Sequence, residues 1–285
     1  MKKLLFVPLI LGVLVVNAQS LSRKVVLKQG QQVERVAAIK MKIGMEMMGQ
    51  TIDINNDNTV TSLVEVKNAT GSAYELATTV KRVVTSMNGM GQNMSYDTDK
   101  KDGAASNEMT KKADELVGKT NNLTIDSKGV ITKSDDTGGD DKENAGGFMG
   151  ISGGVLNAGQ KVGVTFDLVA KLPDNPVKVG DSWNDSTISK EGKFYTRYKV
   201  VEIKSDEAII DMEGTLTQAG QVENNGMTID MNLAGNSKGQ LSMDVTSGLV
   251  KKMAMAMDAT GTMEVAGQSI PFTMKINVDQ GATKK

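Results

Sequence analysis

Residues 39–47 run Ile39-Lys40-Met41-Lys42-Ile43-Gly44-Met45-Glu46-Met47, apolar at every odd position and polar or small at every even one. A period of two puts successive side chains on opposite faces of a strand, so the stretch predicts a half-buried β-strand and not a helix. The same alternation recurs at Val162-Val164-Phe166-Leu168, Ala208-Ile210-Met212, Met227-Ile229-Met231-Leu233, Leu241-Met243-Val245 and Ile270-Phe272-Met274-Ile276-Val278. One wet face and one dry face point to antiparallel sheet, because parallel strands covered on both sides read as unbroken apolar runs.

Working outward, Asn55-Asn56-Asp57-Asn58, Asn88-Gly89, Ser127-Lys128-Gly129, Asn224-Asn225-Gly226 and Ser247-Gly248 supply turn chemistry between these runs. Residues 106–118 break the pattern. Met109, Ala113, Leu116 and Val117 recur at helical spacing, with Ser106 as N-cap and Gly118 after the last turn, which predicts one helix across the sheet. Residues 134–154 are Gly-rich and carry the acidic run 135–143, the composition of a loop. Those carboxylates suit calcium in type but lack the ordered spacing of a dedicated calcium loop.

The chain matches itself on either side of that loop. Leu123-Thr-Ile-Asp126 with Gly129 answers Leu241-Ser-Met-Asp244 with Gly248, Val64-Glu65-Val66-Lys67 answers Val201-Glu202-Ile203-Lys204, and Lys28-Gln29-Gly30-Gln31 answers Lys178-Val179-Gly180-Asp181, in the same order. The expected architecture is mainly β: a curved antiparallel sheet, half-barrel or sandwich, in one domain over 19–285. It is built of pseudo-repeat halves at about 19–133 and 155–285, with one helix at 106–118.

Residues 1–18 have the form of a cleavable signal peptide, with Lys2 and Lys3, an apolar run and a small-residue end at Ala18. The apolar run is too short for a bilayer span, which takes about 20 residues. This predicts export to the periplasm or the medium, with no integral membrane segment after cleavage. The 0 Cys leave neither lipid anchoring at the new start nor disulfides, so stability must come from the core. Lys+Arg number 33 against 34 Asp+Glu, which provides no basic field for nucleic acid.

The 0 His and 0 Cys exclude Ser-His-Asp and Cys-His nucleophile systems and His-ligated zinc, and no cofactor motif is present. The reading is therefore non-catalytic. The unusual feature is 19 Met against 4% aromatics. Met41, Met45, Met47, Met212, Met243, Met253, Met255 and Met257 fall on apolar strand parities, and Trp183 is the one Trp. Flexible thioethers fill irregular cores and adapt to varied apolar guests, so these nine residues are the candidate lining of a concave, lipid-binding face. Two alternatives stand beside it: a structural or adhesion-type envelope module, and Cu(I) binding through clusters such as Met87/Met90/Met94. The copper reading requires at least three sulfurs to meet in space.

The stretch Leu172-Pro173-Asp174-Asn175-Pro176-Val177-Lys178-Val179-Gly180-Asp181-Ser182-Trp183 reads on its own as an extended approach to a strand, with Gly180 at a tight turn and Trp183 as a packing anchor. With Lys28 and Gly30, the Met-alternating strand, Gly248-Leu249 and the leader, it resembles an uncharacterised family of exported proteins from Gram-negative bacteria. That resemblance spans nearly the whole mature chain and implies a location and an architecture but no activity. The architecture is also similar to the half-barrels of periplasmic lipoprotein carriers.

Overall fold

The computed structural model describes residues 19–47, 49–89, 91–100, 107–135, 161–188, 192–224, 227–265 and 267–285. In chain order the elements are β1 (Ser20–Leu21), β2 (Gln32–Met47), β3 (Gln50–Ala69), β4 (Ala73–Gly89), β5 (Gln92–Asp97), α1 (Glu108–Leu116), β6 (Thr120–Asp126), β7 (Ile131–Ser134), β8 (Val177–Lys178), β9 (Ser182–Ile188), β10 (Gly192–Ile203), β11 (Glu207–Asn224), β12 (Met227–Asp244), β13 (Val250–Val265) and β14 (Gln268–Lys284).

Twelve strands form one antiparallel sheet in the order β7-β6-β4-β3-β2-β14-β13-β12-β11-β10-β9, with β5 beside β6 on the same edge of β4. The chain lays down one meander, moves to the far edge and works back, so β14 closes the seam against β2 at the sheet's centre. The sheet is curved and open, and β1 and β8 form a separate two-stranded ribbon.

Register carries the sequence alternation across the whole sheet. One row runs Trp183, Tyr198, Met212, Gly239, Met255, Val278, Ile39, Asn58, Thr85, Tyr96 through ten strands. The nine side chains of this row, Gly239 having none, stand on the same face, because the pleat alternates in step in paired strands. Lys40, Lys42 and their neighbours take the other face and stay wet.

Two chain segments strap the apolar face at one end of the strands. Val25, Leu27, Phe166, Leu168 and Val169 pack on Val33, Val66, Leu76, Ile125 and Ile131, while Leu21, Ala170, Leu172 and Val177 pack on Val200, Ile210, Leu241 and Met243. Both straps bridge the same two hairpin turns. Val25 donates its N–H to Ser127 and Val26 to Ser247, while Phe166 donates to the Gly129 carbonyl and Ala170 to that of Gly248.

Gly129 and Gly248 hold equivalent places in those turns, at φ +81° and +76°. A Cβ would lie 2.5 Å from Val169 at the first and would meet the Lys24 carbonyl at the second, so both the backbone shape and the strap contact require glycine. The two Lys-x-Gly segments also make one and the same turn. Gly30 donates to Val66 and Val66 to Gln31, at 2.8 and 2.9 Å; Gly180 donates to Val200 and Val200 to Asp181, at 2.9 and 3.0 Å. A β-bulge follows Val66 and another follows Val200. The structure thus sets Val66 against Val200, three residues from the Ile203 that sequence matching pairs it with.

Three local expectations change. Residues 162–168 form no ladder; they are the strap, whose bonds pass from the first hairpin to the second instead of following one partner. Asn55 to Asn58 continue β3, because β2 and β4 pair with them on both sides and this outweighs their turn preference. Helix α1 is capped by Asn107, whose side chain accepts from Thr110 N–H at 2.9 Å while the Thr110 hydroxyl accepts from Asn107 N–H at 3.0 Å. Gly118 follows the helix at φ +83°. Ser106, and the Gly/Asp-rich loop from 136 to 154, lie outside the described residues.

Candidate ligand-binding face

Beyond the straps, the apolar face is built from β2, β12, β13 and β14. Ile39, Met41 and Ile43 pack with Met257, Met274, Ile276 and Val278, and Met45, Ile54, Leu216, Ile229, Met253 and Met255 lie half-buried against them. Cross-strand pairs set this mixture. Met41 faces Ile276, which faces Met257; Met45 faces Phe272; Met255 faces Val278.

Of the nine residues singled out in the sequence, Met41, Met212, Met243 and Met257 are in the packed interior, at 1–7% exposure. Met45, Met253 and Met255 are half-buried, and the side chain of Met47 lies outside the described residues. Met212, Met243 and Trp183 belong to the strapped cluster, Met41, Met45, Met255 and Met257 to the unstrapped one, and Met253 touches both. Trp183 stacks on Tyr198 at 5.3 Å between ring centroids and donates its indole N–H to the Lys171 carbonyl at 2.9 Å, so it anchors the strap. Burial, with help from the Asp185 charge, pushes the Tyr198 phenol up to about 12 and keeps it neutral.

Two polar elements on this face have a sequence signal that composition hides. Arg35 stands on the apolar parity of β2, between Val33 and Ala37. Its guanidinium meets Asp167 of the strap at 2.7 Å and donates from Nε to Gln280 Oε1 at 3.1 Å, and the Gln280 amide donates to the Asp167 carbonyl at 3.4 Å. Burial pushes the Asp167 carboxyl up, and the Arg35 charge opposes that shift. Asn56 and Asn58 likewise take apolar parity on β3, with Asn58 Nδ2 donating to Asn56 Oδ1 at 2.7 Å.

The open hollows are on the other face. Two shallow concavities of about 530 and 570 Å³ adjoin across β10 to β14 and share Thr217, Ala234 and Thr260. Their outward side chains are small and polar, including Thr215, Asn232, Asn236 and Asp258. Among the described residues no three of His, Cys, Asp or Glu converge as metal ligands, and no helix is long and apolar enough to cross a membrane.

Residues 165–250 match the family of unknown function DUF6263. The span contains the 172–183 stretch, so the resemblance to an uncharacterised family holds there. No curated protein matches the chain. Among solved structures, a lipovitellin described for its lipid–protein interactions is similar at TM-score 0.50 and 10% identity, over 90% of this chain and 26% of that one. The chain thus spans about a quarter of the lipovitellin chain, and at this identity the likeness concerns fold alone. An outer-membrane channel from Pseudomonas putida F1 (TM-score 0.25, 6% identity, 91% of this chain and 98% of that one) and OccK7 from Pseudomonas aeruginosa (0.26, 6%, 90% and 100%) are far less similar.

Proposed function

We propose that this is an exported, non-catalytic binding protein of the periplasm or medium that holds a lipid or other apolar molecule against the unstrapped part of its apolar face. One observation carries the reading: Met45, Met253 and Met255 lie half-buried on a continuous apolar face whose other end is sealed by straps. Adaptable thioethers at the boundary between packed core and solvent suit a guest of variable shape. The fold likeness to lipovitellin, described for its lipid interactions, supports the same class of ligand.

The test is extraction and mass spectrometry of protein purified without detergent, followed by uptake of a fluorescent fatty acid. Stoichiometric apolar molecules and saturable uptake are expected. Met45→Gln with Met255→Gln should weaken uptake roughly tenfold or more, because an amide buried without partners costs about 1–3 kcal/mol, whereas Met41→Leu should leave uptake unchanged. Protein that carries no apolar molecule and takes up none would sink the reading.

A further inference from the structure

Met87 on β4 and Met94 on β5 are direct cross-strand partners, a placement that sets Cβ atoms about 5 Å apart. Met90, the third member of the cluster read from the sequence, lies outside the described residues; helix α1 brings another thioether toward the pair. The Met109 sulfur accepts from the hydroxyl of Thr85, two residues from Met87 on the same face, at 3.9 Å. Asn107, the helix cap, donates from Nδ2 to the Met94 sulfur at 3.6 Å. Three methionines from three elements therefore stand on one patch of this face, Met109 over Thr85 and Met94 beside Asn107. All three side chains are half-buried, open to an incoming ion yet screened from bulk water.

Met109 also packs on Val83, Tyr96 and Ala113, but the surroundings of Met87 and Met94 differ from those of the other methionines. Met41, Met257 and Met274 pack among apolar groups. Here the face turns polar: Asn56, 4% exposed, faces Met87 across the strands, and the Tyr96 hydroxyl, two residues along from Met94, donates to the Asp114 carboxylate at 2.8 Å. That carboxylate supplies negative charge near a neutral sulfur set.

Neutral thioethers are soft ligands that select monovalent copper over hard or borderline divalent ions. We propose that Met87, Met94 and Met109 form a Cu(I)-binding site with three thioether sulfurs as ligands. The sulfurs replace their hydrogen bonds to Asn107 and Thr85 with bonds to the metal, and no change of oxidation state is involved. The site does not depend on the apolar-guest reading.

The experiment is anaerobic competition for Cu(I), kept reduced by ascorbate, between the full mature chain and bicinchoninate, with Ag(I) absorption spectroscopy as a redox-inert check. One Cu(I) per chain and sulfur-only coordination are expected. The triple variant Met87→Leu, Met94→Leu, Met109→Leu conserves side-chain volume; it should lose binding at least a hundredfold, and Met212→Leu should lose none. Thermal unfolding of the triple variant close to that of the wild type shows that the loss is local. Wild-type protein that withdraws no Cu(I), or a triple variant that binds it as tightly as wild type, overturns the proposal. Fatty-acid uptake should be the same in the triple variant, since Leu is as apolar as Met, so the two readings fail separately.

Discussion

Arg35 and Asp167 form an ion pair inside an apolar face, at 2.7 Å, with Arg35 8% exposed. Removing one partner leaves an uncompensated buried charge, so Asp167→Ala should lose about 3–5 kcal/mol in urea unfolding, whereas Arg35→Met with Asp167→Leu should recover most or all of it. The pair is thus a positional latch between strap and seam more than a net source of stability. Its pH sense follows from burial: the folded state holds the Asp167 proton more tightly than the unfolded chain, so this group's contribution weakens as pH rises out of the acid range through the folded value.

Asp97 behaves in the opposite way. The two hydrogen bonds from Arg82, at 2.9 and 2.6 Å, hold its carboxyl down to about 2. Its contribution is present above the ordinary carboxylate range and lost as pH falls toward 2. Asp97→Asn should lower the melting temperature at pH 7, with the gap from wild type narrowing toward pH 2 in thermal scans.

At the scale of elements, α1 shows how far spacing can be read. Met109 and Ala113 turn inward onto Val83 and Tyr96, as their spacing predicts, whereas Leu116 and Val117 are 42% and 37% exposed. The helix has nine residues, too short to stand on propensity alone. Asn107→Ala should therefore cost about 1 kcal/mol, seen as lost hydrogen-exchange protection over 108–116 with sheet amides unaffected. The strands β2, β11, β12 and β14 were legible from alternation, since only one parity of each could be buried. The strap was not, because Phe166 and Leu168 alternate like a strand yet bond to two separate hairpins. Nor was the hidden polarity at Arg35 and Asn56, which stands out only once the parity of β2 and β3 is known.

At the scale of the whole molecule, the two meanders are held by the β2–β14 seam and by straps that each touch both of them. Residues 161–285 expressed alone would leave the inner edge of β14 without β2, and Phe166 without Leu76 and Ile125. That fragment should give poorly dispersed amide spectra and bind a hydrophobic dye, and adding residues 19–135 should restore dispersion. The intact chain should melt in a single calorimetric transition. What the sequence by itself determined was local: period-two runs made the elements strands, and a single apolar parity made the sheet one-faced. The likeness of the two Gly turns was also visible, because a positive φ restricts residue choice at one position. The tertiary structure alone decided the order of the strands, the closure of the seam by the last strand and which methionines are sealed. It also decided that Met109 of the helix lies over the β4–β5 pair that carries Met87 and Met94. Those outcomes depend on pairings between residues far apart in the chain, and a period-two pattern names a face without naming its neighbour.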